Sequence, residues 1–201
     1  MTTTSFTAKD VQELRQRTGA GMMDCKKALE ENAGNMDKAA ESLRAKGIVK
    51  AEKRAGRAAS EGQIGSYIHH NGKVGVLVEV NCETDFVARN PEFKELVKEL
   101  ALHIASAAPV SVDKTGVPAE AIEKERRIYE QQVRESGKPD HLIAKIVDGK
   151  VESYYKQVVL MSQEWIRDPK KTIGDLVKEV SAKMGENIVV RRFARFQMGQ
   201  E

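Results

Sequence analysis

Apolar residues recur at helical spacing through the first 47 residues, with two short interruptions. The pattern predicts three short helices, the first after an N-cap at Thr7, the second from near Met22 and the third from near Asn35 to Gly47. Each is followed by a glycine or by an Asn-Ala-Gly sequence, which is typical of helix C-termini. Such a segment forms a small helical module with a marginal core.

After residue 60 the pattern changes to alternation, which predicts strands. Residues 64–70 form the first strand, and Asn71-Gly72 predicts a tight hairpin turn in which both residues have positive φ. The second strand has valines on one face, at positions 74, 76, 78 and 80.

The remaining chain alternates between helices and one more strand. Asn90-Pro91 begins an amphipathic helix whose apolar stripe we expect to cover the valine face. A helical hairpin follows over about 118–157. Thr172 caps a last helix, and residues 188–196 form a strand with Ile188, Val190 and Phe196 on one face.

These elements predict an α+β fold. A three-helix module precedes a small antiparallel sheet that is packed with helices and a helical hairpin. We place the boundary between residues 55 and 56. The helical module, ending in a basic linker, then covers 1–55 and the α+β core covers 56–201.

Composition indicates a globular protein of the cytoplasm. The net charge is only +3, from 33 basic and 30 acidic residues, which is too small to require a nucleic-acid partner. The first residues lack the basic and apolar regions of a secretory signal. No run approaches the roughly 18 apolar residues of a membrane span.

The sequence contains no convincing catalytic or metal-binding pattern. Its glycines do not match phosphate-binding loops, and its two cysteines, Cys25 and Cys82, lack the spacing of zinc ligands. A thiol-dependent enzyme built on one of these cysteines is an alternative that no spacing supports. We therefore expect a protein that is not an enzyme and that needs no cofactor or metal.

Residues 44–57 form the most basic stretch, with six Lys or Arg residues against the single acid Glu52. An RNA- or ribosome-associated binding protein that uses this face is an alternative function. The stretch has no interleaved aromatic residues for base stacking. We therefore expect a solvated linker and no direct contact with nucleic acid.

Three segments together resemble one family. They are Leu14–Leu29 (LRQRTGAGMMDCKKAL), Glu79–Arg89 (EVNCETDFVAR) and Gly185–Phe193 (GENIVVRRF). Their order and spacing are similar to those of the short, single-core form of elongation factor Ts. The resemblance covers the whole chain. It implies a guanine nucleotide exchange factor for the translation GTPase elongation factor Tu, and short forms of the family can dimerise.

The resemblance assigns residues to two contacts with elongation factor Tu. The helical module, similar to ubiquitin-associated domains, docks on the G domain through positions that match Arg15, Met22 and Met23. Between helices of the GTPase the family inserts the motif that matches Thr84, Asp85, Phe86 and Val87, which disturbs the magnesium site and releases GDP until GTP rebinds. His69 or His70 matches a weaker contact near the phosphate loop.

The residues alone leave two of these assignments open. Phe86 is either an exposed apolar wedge or a core residue that folds back while Thr84 or Asp85 caps a turn. Of Met22 and Met23, we expect one in the core of the helical module and the other on its surface.

Overall fold

The computed structural model describes residues 6–200 and confirms the α+β fold. The helices are α1 Ala8–Thr18, α2 Met22–Glu31, α3 Met36–Arg54, α4 Asp85–Ala88, α5 Pro91–Ala107, α6 Ala119–Glu135, α7 Asp140–Val158 and α8 Ile173–Met184. The strands are β1 Glu61–Ile68, β2 Val74–Cys82, β3 Glu164–Trp165, β4 Asp168–Thr172 and β5 Val189–Gln197.

The chain forms two compact units that do not follow a single cut in the sequence. The first unit contains the described residues up to 62, together with 81–94 and 177–189. The second unit contains 63–80, 95–176 and the described residues from 190 onward. The predicted boundary between residues 55 and 56 stays a prediction.

Three helices, α1, α2 and α3, build the N-terminal part of the first unit. Thr7 and Asp10 form a capping box, in which the Asp10 N–H donates to Thr7 Oγ1 at 3.3 Å and the Thr7 N–H donates to the Asp10 carboxylate at 2.6 Å. The predicted cap at Thr7 and the predicted start of the third helix near Asn35 are confirmed, and Asn35 is the N-cap of α3. The buried core consists of Val11, Leu14, Cys25, Ala28, Leu29, Ala39 and Leu43.

The prediction that the third helix ends at Gly47 is wrong, because α3 continues to Arg54. Gly47 is not a helix cap. A Cβ atom at this position would lie only 3.1 Å from Cβ of Ala182 on α8, so the glycine permits close approach of two helices. Much of the predicted basic linker is therefore helical.

The main sheet has three strands in the order β1-β2-β5. The valine face is confirmed, since Val76, Val78 and Val80 are buried. The predicted face of Phe196 is wrong. Arg191 and Arg192 are both exposed, so the alternation of β5 is interrupted, and Phe196 is 68% exposed while Val190 is buried.

The hairpin between β1 and β2 has a different turn from the predicted one. Only Gly72 has positive φ, at 70°, and its N–H donates to the carbonyl of His69 at 2.8 Å. Asn71 instead accepts a hydrogen bond from the Lys73 N–H through its side-chain oxygen, at 3.0 Å. The turn thus spans residues 69–72 and leaves the left-handed conformation to glycine alone.

Helices pack on one face of this sheet. A Cβ atom at Gly65 of β1 would overlap Cγ1 of Val97, so α5 lies directly against the hairpin, as predicted. The predicted helical hairpin is α6 and α7, with Val133, Ile143, Val147 and Val151 as its buried core. A second, two-stranded sheet of β3 and β4 is a feature that the sequence pattern did not predict, and β4 contains the Asp168-Pro169 pair.

Candidate partner-binding site

The most exposed large apolar residue of the described chain lies on a four-residue helix directly after β2. Phe86 on α4 is 78% exposed, whereas Val87 and Ala88, the next two residues, are buried. Thr84 is the N-cap, and its hydroxyl accepts a hydrogen bond from the Val87 N–H at 3.4 Å. The interpretation of Phe86 as a core residue is therefore wrong, and the capping role belongs to Thr84.

Asp85, the second polar member of this motif, is also exposed. Its carboxylate pairs with Arg89 at 2.8 Å across one helical turn. An exposed pair of this kind contributes little to stability. Asp85 can therefore exchange Arg89 for a partner group at small cost.

The segment after α8 contacts the start of this motif. Oε2 of Glu186 accepts hydrogen bonds from the N–H groups of Glu83 and Thr84, at 3.0 and 3.1 Å. Oε1 of Glu186 accepts a third from the Thr84 hydroxyl at 2.6 Å. Glu186 lies in the segment Gly185–Phe193, which resembles the family, but its contact with Thr84 was not predicted from the sequence.

The proposed docking residues lie in the same unit. Met22 and Met23, at the start of α2, are 44% and 75% exposed, and Arg15 on α1 is exposed. The expectation that one methionine is in the core is wrong, because neither belongs to the buried cluster of the module. The start of α2 therefore presents two flexible thioether side chains to solvent.

Comparison with known proteins identifies the family. A family model described as "Elongation factor TS" matches residues 3–200. The chain is 57% identical to "Elongation factor Ts" of Oleidesulfovibrio alaskensis over 195 residues, which are 97% of this chain and 98% of the relative. It is 55% identical to the protein of the same name from Nitratidesulfovibrio vulgaris over 197 residues, 98% of each chain.

The chain belongs to the elongation factor Ts family. Its role is therefore in translation elongation. A third relative, "Elongation factor Ts" of Geobacter sulfurreducens, is 53% identical over 196 residues and is covered to 91% of its length.

The two histidines lie in the other unit of this family member, at the β1–β2 turn. The half-buried His69 has its Nδ1 3.0 Å from the Tyr67 hydroxyl, and the exposed His70 ring stacks edge-on against it with centroids 4.2 Å apart. Of the two, His70 is the one free to meet a partner. Its role stays a prediction.

Neither cysteine is in the state that a nucleophile needs. Both are buried, and burial raises the pKa of the Cys25 thiol. Burial, with a smaller contribution from the charge of Glu186, raises the pKa of Cys82 to about 11. A thiolate is therefore scarce at neutral pH, which argues against the thiol-enzyme alternative.

The basic stretch 44–57 is largely paired with acids. Ion pairs join Lys46 to Glu31 at 2.5 Å and Lys50 to Asp24 at 3.1 Å. Arg44 and Arg57 pair with Glu179 and Glu83, respectively. Four of its six cations thus already have an acidic partner, with which RNA phosphates would have to compete.

Within residues 6–200, no three side chains of the His, Cys, Asp or Glu type cluster in a way that could hold a metal ion. In the same part of the chain, no helix combines the length and the apolar character that crossing a membrane requires.

Proposed function

We propose that this chain is the guanine nucleotide exchange factor of elongation factor Tu and performs no bond-making chemistry itself. The observation that carries the proposal is Phe86, a large apolar side chain that is held in solvent on a capped turn. An isolated monomer gains nothing by exposing a phenyl ring in an ordered position. The ring is suited to insertion into a partner.

The mechanism is a difference in binding free energy. The factor binds the nucleotide-free GTPase more tightly than the GDP-bound form, and by reciprocity it weakens GDP by the same factor. Phe86 supplies this difference if it is buried only in the open state of the GTPase. Movement of the GTPase helices then weakens magnesium coordination, and GDP leaves because its phosphates lose their counter-charge.

The other motif residues have supporting roles in this proposal. Asp85 binds a polar group of the GTPase beside the inserted ring. Val87, which is buried, anchors the motif to the first unit, and Thr84 fixes the start of the turn.

Docking is assigned to the helical module. The exposed side chains of Met22 and Met23 form an adaptable apolar contact with the G domain, and Arg15 pairs with an acidic group there. These contacts hold the factor on the GTPase in both nucleotide states. They therefore contribute to affinity, and Phe86 contributes to exchange.

The test is the release of a fluorescent GDP analogue from elongation factor Tu, with this chain at catalytic amounts. We expect the release rate to rise strongly when excess unlabelled GDP is present, because rebinding of nucleotide displaces the factor and returns it for another cycle. No acceleration by the folded chain would refute the proposal, and RNA binding would then be measured as a function of salt.

A second part of the proposal is a homodimer formed by the outer face of the main sheet. Ile64, Ile68, Leu77 and Phe196 are all exposed. They point away from α5, since Gly65 faces Val97 and the Arg195 side chain donates to the carbonyl of Ala105 on that helix. The central Leu77 thus lies among apolar side chains of both edge strands.

A second copy of the chain fits this face because two such sheets can pack face to face about 10 Å apart around a twofold axis. Sedimentation equilibrium tests this. We expect a dimer for the wild type and a monomer for Leu77→Arg. Val110→Arg, a matched change at an exposed apolar residue outside the sheets, should leave the dimer intact. A monomeric wild type would refute the dimer.

A further inference from the structure

The motif that carries Phe86 has little conformational stability of its own. Helix α4 has only four residues, too few for a helix to persist without outside support. Phe86 itself is exposed, and the Asp85 side chain is in a solvent-exposed ion pair with Arg89. The direction of the phenyl ring is therefore set by the residues on either side of it.

On the C-terminal side the support is apolar, since Val87 and Ala88 are buried. On the N-terminal side it is polar and comes from Glu186. A single carboxylate accepts from two successive backbone N–H groups, those of Glu83 and Thr84, and from the Thr84 hydroxyl. Hydrogen bonds to a charged acceptor are stronger than neutral ones.

The bond from the hydroxyl also determines how Thr84 caps α4. A hydroxyl has one proton, and here the proton is directed to Oε1 of Glu186 at 2.6 Å. The lone pairs of Thr84 Oγ1 are then free to face the Val87 N–H. Glu186 thus orients the cap and holds the backbone at the same time.

Glu186 is itself held in place. Gly185 adopts a left-handed conformation, with φ 76°, after the end of α8, and the Ser181 hydroxyl donates to the carbonyl of Glu186 at 2.5 Å. The contact is also reciprocal, because the Asn187 N–H donates to Oε1 of Glu83 at 2.7 Å. Each segment therefore binds the backbone of the other through a glutamate.

We propose that Glu186 is a positioning residue for exchange, which presents Phe86 in the geometry that enters the GTPase. The inference rests on the proposed exchange function. Because the motif is already ordered in the free factor, the free energy of binding is not reduced by the entropic cost of ordering this turn. Glu186 acts through Phe86 and needs no contact with the partner.

The test is a double-mutant cycle on catalysed GDP release, with the full chain as wild type, Glu186→Gln, Phe86→Ala and the double variant. Glutamine keeps the shape of the side chain but loses its charge and one acceptor atom. We expect Glu186→Gln to lower the exchange rate about tenfold, the loss of roughly one charge-assisted bond. In the Phe86→Ala background the same change should have no further effect.

A matched control removes a different carboxylate of the first unit. Glu52 pairs with Lys178 of α8 at 2.7 Å, and Glu52→Gln should exchange at the wild-type rate. A second readout is amide hydrogen exchange, which should accelerate at Thr84 and Val87 in Glu186→Gln while the core of the helical module keeps its protection. If Glu186→Gln does not fold, Thr84→Val removes the hydroxyl that both donates to Glu186 and caps α4, and it should slow exchange in the wild-type background but not in the Phe86→Ala background.

The possible results separate this inference from the proposed function. The positioning role would be overturned if Phe86→Ala slows exchange while Glu186→Gln exchanges at the wild-type rate. It would also be overturned if Glu186→Gln lowers the exchange rate by the same factor in both backgrounds. Either result would leave the exchange function standing. A wild-type chain that fails to accelerate GDP release would refute the exchange function itself.

Discussion

Replacement of Phe86 by alanine should slow exchange about 100-fold. A phenylalanine side chain has about 200 Å² of accessible surface, so at 78% exposure about 150 Å² is available for burial in the partner. At 25 cal/mol per Å² this corresponds to about 4 kcal/mol, of which alanine keeps about 1 kcal/mol. A loss of about 3 kcal/mol is about a 100-fold decrease in rate.

The assay is stopped-flow release of the fluorescent GDP analogue over a range of factor concentrations. Because the ring is proposed to be buried only in the open state, the decrease should appear mainly in the maximal rate and less in the half-saturating concentration. The unfolding free energy of the variant should stay within about 0.5 kcal/mol of wild type, since Phe86 has little buried surface to lose.

Phe93 on α5 provides the matched control, because it is a phenylalanine that is fully buried. Phe93→Ala should destabilise the chain by about 3–5 kcal/mol in urea unfolding. Phe86→Ala should therefore lower the exchange rate without a large loss of stability, whereas Phe93→Ala should lower the stability. A Phe86→Ala protein that exchanges at the wild-type rate, or one that is destabilised like Phe93→Ala, would contradict insertion of the Phe86 ring into the partner.

Two further predictions concern stability. Gly65→Ala should cost about 1–3 kcal/mol in urea unfolding, because the added methyl group overlaps Val97, whose backbone oxygen would lie 3.3 Å away; wild-type stability would contradict this packing. Burial, opposed by a hydrogen bond to Gln163, lowers the pKa of His103 below 6.5. As the pH falls, the histidine of the unfolded state is therefore protonated before that of the folded state. The contribution of His103 to the free energy of unfolding should be fully present above about pH 6.5. It should decrease as the pH falls below that value, by at most about 1.4 kcal/mol per pH unit for one group. This loss of stability at acidic pH should still be measured in the control variant His141→Gln and should be absent in His103→Gln.

Where the fold could be predicted, a local pattern contained the necessary information. The cap at Thr7, the start of α3 near Asn35, the valine face of β2 and the helical hairpin each depend on residues a few positions apart. Gly47 is the opposite case. Its sequence context is that of a helix end, but its role is set by Ala182, which is distant in the sequence and close in the structure.

The main strands show the same limit. Alternation predicted their existence, but not the interruption at Arg191 and Arg192 that leaves Phe196 exposed. The Asn-Gly pair predicted a turn, but the residues that the turn contains depend on how the flanking strands pair. Sequence therefore predicted which elements exist better than which side chains they expose.

For the candidate site, the motif around Phe86 could be predicted from the sequence, but the contacts that hold it in place could not. An aromatic residue beside an acid in a short connection is visible in the sequence, and the family resemblance assigned it to the partner. The exposure of Phe86 was not visible, because it depends on the anchor formed by Val87 and on Glu186, 102 residues away from Thr84. A mobile ring on the same four residues would have the same sequence motif but a larger ordering cost on binding. Presentation of Phe86 for insertion thus depends on a long-range hydrogen-bonded contact, and the double-mutant cycle between Glu186 and Phe86 measures how far exchange depends on it.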